Sequence, residues 1–351
     1  RDMLPREKEQ LINQLKPAGL NGYTSLYYTV IGKLRFPFRG ELLSQSQINN
    51  KRSNADPEVR KEAFASIQAT IAEHEGTFAQ ILNNLAGFRL ATYELRGWDS
   101  VLKEALTEYR MDEESLDAMW EAVEEFKPLL VKALHKKAEL LNLPSLAFYD
   151  ITAPIEQNTT QISYEEGALS IIEQFQKRLP SLAYFAKKAI SNRWIEAEGR
   201  NNKRAGGFCA LFPVSKQSRI FLMAELLFEI GTYEDAKTAT EKRALLNSKV
   251  AQAASLLMNV RARYDFEKTF YEERKKGFVP ATRINELMVN AQKKAYGNAL
   301  SEYSPTYWAS VLHFYLDDTS FYNFPYTFGY LFSRGIYAKW KDDLPSFEEK
   351  Y

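Results

Sequence analysis

DPEVRKEAFASIQATIAEHEGTFAQILNNLAGFRLATY, residues Asp56–Tyr93, decides the fold class. Val59, Phe64, Ile67, Ile71, Phe78, Leu82, Leu85 and Phe88 recur at helical spacing, which predicts helix across the stretch. Asp56 supplies an N-cap acceptor and Pro57 suits the first helical position. Downstream, Asp112 predicts a second start, with Leu116, Met119, Trp120 and Val123 on one face. The pattern continues through Leu130, Ala133 and Leu134, with Pro128 expected to kink or restart the helix.

Residues Pro144 to Thr160 read as a connector. Ser163, Glu165 and Glu166 introduce a helix to about Leu179, and another follows from Leu182 to about Trp194. Asn201 to Gly207 reads as a loop. Gly207 to Phe212, Pro213 to Ser218 and Arg219 to Leu222 read as a β-hairpin, the one convincing sheet signal. Helices resume at Ala224 and run, with breaks, to Tyr296 before Gly297. Ser304 to Trp340 is rich in aromatic residues. The expected fold is mainly α, a multi-helix body enclosing a cleft with one small hairpin. No linker divides the chain, so we expect one domain over 1–351, with a helical lobe over about 1–150 and a second part over about 151–351.

Composition narrows the function. Of 351 residues, 45% are hydrophobic and 26% charged, which is ordinary for a globular protein. The net charge of +1 argues against a dedicated nucleic-acid partner, which would need surplus cations to neutralise phosphates. No uncharged apolar run approaches the roughly 18–20 residues of a membrane helix, so no membrane partner is expected. The one cysteine, Cys209, excludes an internal disulfide and fits a reducing, cytoplasmic location. The sequence opens at Arg1 inside a charged helix-like stretch, so a longer protein is expected.

Metal and nucleophile motifs are missing. His74, His135 and His313 are the only histidines and lie far apart, and no H-E-x-x-H occurs. There is no P-loop, no G-x-G-x-x-G after a strand and no G-x-S-x-G elbow.

Resemblance adds what these residues do not. Arg193 to Glu198, Lys203 to Cys209 and Ser218 to Phe221 resemble a segment of the oligoendopeptidase F family that leads into its catalytic helix. Asp56 to Lys61, His74-Glu75, Phe78, Leu85 to Leu90 and Arg96 to Asp99 resemble the family's helical lobe. His313-Phe314-Tyr315 and Phe321 to Tyr330 resemble its aromatic substrate-binding segment. The similarity is co-linear through nearly the whole chain. It implies a zinc endopeptidase acting on short unfolded peptides, with Zn²⁺ held by two motif histidines and a later glutamate.

The departure is as informative. In the family, H-E-x-x-H follows the hairpin, whereas here Phe221-Leu222 passes straight into Met223-Ala224-Glu225. A few dozen residues of the family pattern are thus absent at Leu222–Met223. As it stands the sequence has no zinc ligands and would be inactive, and Glu225 matches a position after the ligand glutamate. Two readings follow: a zinc endopeptidase whose motif segment is present in the full protein, or a pseudopeptidase that holds peptides or a partner without cutting them.

The resemblance offers His313, Tyr322 and Tyr326 as catalytic candidates that donate to a developing oxyanion. Pro325 is expected to begin a helix, leaving Tyr322 outside it. The sequence does not choose between the two tyrosines. His313 could equally be a core histidine among Trp308, Phe314 and Tyr315, and the Tyr326, Tyr330, Tyr337 stripe could be packing. Gly206, Gly207 and Phe208 are the substrate-binding candidates, since a peptide could add as a strand to the hairpin edge with glycines allowing close approach.

Overall fold

The periodic stretch forms two helices, Pro57–Ala72 and Glu75–Arg96, in a computed structural model that describes residues 3–156, 163–192, 194–195 and 232–340. Asp56 accepts the Glu58 N–H at 2.9 Å, as its N-cap position requires. The helices part at Glu73-His74, where the His74 N–H turns early to the Ile71 carbonyl. Ile71 and Phe78 on either side are both fully buried.

The described chain divides into two compact units. Residues up to Ala153 together with Val250–Tyr326 form the first, and Pro154–Lys249 with the residues from Thr327 onward form the second. In the first, Phe64, Leu134, Leu146, Phe148, Met258 and Tyr296 share one apolar core. Leu146 to Asp150 is tied to the Pro57–Ala72 helix by a buried ion pair. The Arg60 guanidinium meets Asp150 Oδ1 at 2.8–2.9 Å and also donates to the Asn54 and Ala55 carbonyls. Asp150 Oδ2 accepts the Ala147 N–H, so both charges are satisfied inside the core.

Two expectations are corrected. The helix begun at Asp112 runs as Glu113–Leu140 with Pro128 inside it, so no restart occurs. The apolar face on both sides of the proline, from Leu116 to Leu134 and Ala138, is buried and outweighs the one backbone bond that proline forfeits. The sheet of the described residues is a hairpin the sequence reading passed over, Phe36–Phe38 against Glu41–Leu43. Arg39 (φ 49°) and Gly40 (φ 86°) form its two-residue turn, where positive φ at both positions suits the twist of a hairpin. The hairpin expected over 207–222, and the helix expected from Ala224, lie outside the described residues.

The later helices of this unit are Val260–Arg274 and Ala281–Ala295. A single π turn, Ala254–Asn259, precedes the first. The second ends as foreseen at Tyr296, with Gly297 at φ 59° and the Asn298 N–H returning to the Lys293 carbonyl. In the other unit, Ser163 and Glu166 form a capping box on Tyr164–Arg178, and Pro180 opens Pro180–Ser191. Phe175 and Ala183 pack between these two helices.

Candidate functional site

Four-residue spacing on the Val260–Arg274 helix puts Arg263, Glu267 and Tyr271 on one face. That face holds the aromatic segment that follows Ser304. Glu267, buried, accepts the Phe321 N–H at 2.9 Å. Tyr271 accepts from buried Arg89, whose other terminal nitrogen donates to the Leu316 and Thr319 carbonyls. Glu104 closes the group, accepting from Tyr93 at 2.6 Å and from Ser320 at 3.4 Å. Residues 316–321 are thereby held mainly by their main chain. Burial pushes the Glu267 carboxyl up to about 7.

This clamp presents His313, Tyr322 and Tyr326 together. His313 lies on the short turn Leu312–Tyr315, Tyr322 precedes the last described helix, and Tyr326 is in its first turn, since that helix begins at Phe324. The His313 ring centre is 5.2 Å from Tyr322 and 5.6 Å from Tyr326, and the two tyrosines are 5.5 Å apart. All three are half-buried. Tyr322 stays outside the helix, as Pro325 implied, yet it joins the same cluster.

Hydrogen bonding sets the histidine's form. Arg263 donates to Asn323 Oδ1 at 3.2 Å, and an arginine can only donate, so the oxygen of that amide faces it. His313 Nδ1 sits 2.8 Å from the same oxygen and must therefore carry the proton. Burial, reinforced by the Arg263 charge, lowers the His313 pKa, so the ring is neutral at pH 7. Its Nε2 is then a lone-pair acceptor, not a donor. Tyr326 has the opposite character. Burial and its hydrogen bond with Tyr322 raise its pKa, so it keeps its proton and can donate. The side chains of this cluster with a hydroxyl proton to donate are Tyr322 and Tyr326.

No group of three or more metal-ligating side chains exists among the described residues. His313 is unsuited to a cation, with Nδ1 engaged by Asn323 and the Arg263 guanidinium 3.4 Å away. The described residues do not fit a zinc site, and the sequence holds no H-E-x-x-H. Gly206, Gly207 and Phe208 lie outside the described residues.

The model of peptidase family M3 matches residues 51–227, half of the chain. The chain belongs to peptidase family M3. Within that family it is of the oligoendopeptidase F type. The oligoendopeptidase F homolog of Lactococcus lactis subsp. lactis strain IL1403 is 23% identical over 78% of this chain and 53% of its own length. The chromosomal oligoendopeptidase F of Lactococcus lactis subsp. cremoris is 22% identical over 85% of this chain and 58% of its own. The chain thus spans about half the length of the curated relatives it matches. The crystal structure of oligoendopeptidase-F from Enterococcus faecium shares the fold at a TM-score of 0.76 and 18% identity, covering 99% of this chain and 66% of that one.

The sequence reading missed Arg89, Glu104 and Glu267 as the clamp that supports the cluster. The signal it had was the Arg263, Glu267, Tyr271 spacing, where a polar row falls on a helix face otherwise flanked by Phe266 and Phe270.

Proposed function

We propose that this M3 chain carries the peptide-engaging part of a zinc-dependent oligoendopeptidase that hydrolyses short unfolded peptides in the cytoplasm. The observation that carries the reading is the His313, Tyr322, Tyr326 cluster, with two hydroxyls beside a neutral imidazole. A peptide bond offers one acceptor and one donor. The hydroxyl of Tyr326 or Tyr322 donates to the carbonyl oxygen, and His313 Nε2 accepts a peptide N–H. The single cysteine, Cys209, supports the cytoplasmic assignment. Among the described residues no group could hold that zinc, and H-E-x-x-H is absent from the sequence.

A second reading is favoured by the missing H-E-x-x-H: a pseudopeptidase that holds peptides, or a protein partner, without cutting them. Three measurements on the natural protein separate the two. Intact mass above that of 351 residues, bound zinc, and chelator-sensitive cleavage of a quenched fluorescent peptide are expected for the peptidase. A protein of unchanged mass that binds peptides without zinc or cleavage is a holder, and one that neither binds nor cuts refutes both.

A further inference from the structure

Arg52 and Arg263 are two cations on adjacent aromatic rings. The Arg52 guanidinium lies 5.3 Å from the centre of Phe148 and that of Arg263 lies 5.4 Å from the centre of Tyr307. Those rings meet edge to face at 5.1 Å. Among the described residues neither guanidinium has a carboxylate within ion-pair distance. Nearby Asp150 is already committed to Arg60. Arg263 is met by neutral groups alone: Tyr307, Asn323 and the imidazole of His313. The Nε atoms of both arginines are buried without a hydrogen-bond partner.

Two like charges so placed work against the fold, and a buried N–H without an acceptor has lost its water with nothing in return. Burial, with a smaller contribution from the Arg263 charge, depresses the Arg52 pKa. An anion between the two guanidiniums would answer both charges through their terminal nitrogens. Arginine's planar fork is suited to a carboxylate.

We propose that Arg52 and Arg263 form a subsite for the C-terminal carboxylate of a short peptide. This rests on the peptide-binding reading above. Arg263 already touches His313 and Asn323, so a peptide anchored there would be fixed by its end beside the tyrosine pair. Such an anchor selects short peptides, because a chain continuing past the site has no terminal charge to place in it.

Isothermal titration of the natural protein with two hexapeptides of one sequence, a free acid and a C-terminal amide, tests this. We expect the free acid to bind at least about tenfold more tightly, a difference of about 1.4 kcal/mol. Arg52→Gln should bring its affinity down to that of the amide, and Arg52→Lys should restore part of the difference. Equal affinity of the two peptides for the natural protein overturns the subsite and leaves the peptide reading standing. Failure of both peptides to bind overturns both. Inorganic phosphate binding more tightly than either peptide overturns the proposal in favour of a free anion. The comparison in the natural protein decides even if a variant fails to fold.

Discussion

Glu267 receives the main-chain N–H of Phe321 at 2.9 Å, and Phe321 has a positive φ of 53°. A bulky residue with left-handed backbone is strained, so the contact holds the segment in a conformation it would not choose alone. The carboxyl pKa is pushed from 4.5 to about 7 by burial. The folded state therefore binds the proton more tightly than the unfolded state. Its contribution to stability is fully present below pH 4.5 and is lost as pH rises through about 7. Glu267→Gln can keep the Phe321 bond without titrating. Denaturant melts from pH 4.5 to 8 should show a decline in the natural protein that is shallower in the variant. Parallel curves would remove Glu267 as the source.

His313 should make peptide affinity depend on pH in the opposite sense. Its neutral ring offers Nε2 as an acceptor, and its pKa lies below the usual 6.5. Affinity for an amidated peptide should hold at pH 7 and fall as pH drops below that value. His313→Ala should bind more weakly at pH 7 and lose the acid-side fall. An unchanged fall in the variant would locate the titrating group elsewhere.

Tyr326→Phe and Tyr322→Phe remove one hydroxyl each with little change in packing. Each donor to a carbonyl contributes about 0.5–1.5 kcal/mol, so affinity should drop about two- to tenfold for whichever tyrosine donates directly. Titration calorimetry reads the difference. Wild-type affinity in both variants would return the stripe to packing.

Asn83 satisfies the main chain of Val279, outside any helix or strand. Its amide donates to the Val279 and Ala79 carbonyls at 2.8 Å, and its Oδ1 accepts the Val279 N–H at 2.9 Å, all buried. Asn83→Ala leaves the Val279 N–H unpaired and should cost about 1–3 kcal/mol in urea unfolding. A loss within about 0.5 kcal/mol, the range of ordinary surface changes, would contradict this.

Arg60 and Asp150 form a buried pair, so removing one charge strands the other. Arg60→Ala should cost about 3–5 kcal/mol, and the combined Arg60→Met, Asp150→Leu change should cost less. Equal or greater loss in the double variant would show that the pair contributes net stability.

The helical class was legible because apolar spacing at Asp56–Tyr93 and Asp112–Leu134 reports which face is buried, and that burial drives the packing. Caps at Asp56, Asp112 and Ser163 were legible because one side chain does the work locally. Pro128 misled because the local cost of a proline is visible in sequence while the tertiary burial that offsets it is not. The Phe36–Leu43 hairpin was hidden by its three-residue strands and by Pro37, which reads against a strand. At the site, His313 and the tyrosines were reached through family resemblance. Arg89 and Glu267 were not, because they lie 178 positions apart and only folding shows that they grip the same few residues.

The clamp on residues 316–321 grips the carbonyls of Leu316 and Thr319 and the amide of Phe321, adds the hydroxyl of Ser320, and leaves the Asp318 side chain out. At that position its hold is therefore indifferent to lettering. Asp318, which is exposed, can drift through many amino acids over evolutionary time while the path of the chain stays fixed. Pressure to remain unchanged should fall instead on Arg89 and Glu267, remote in sequence from the aromatic residues whose placement they secure.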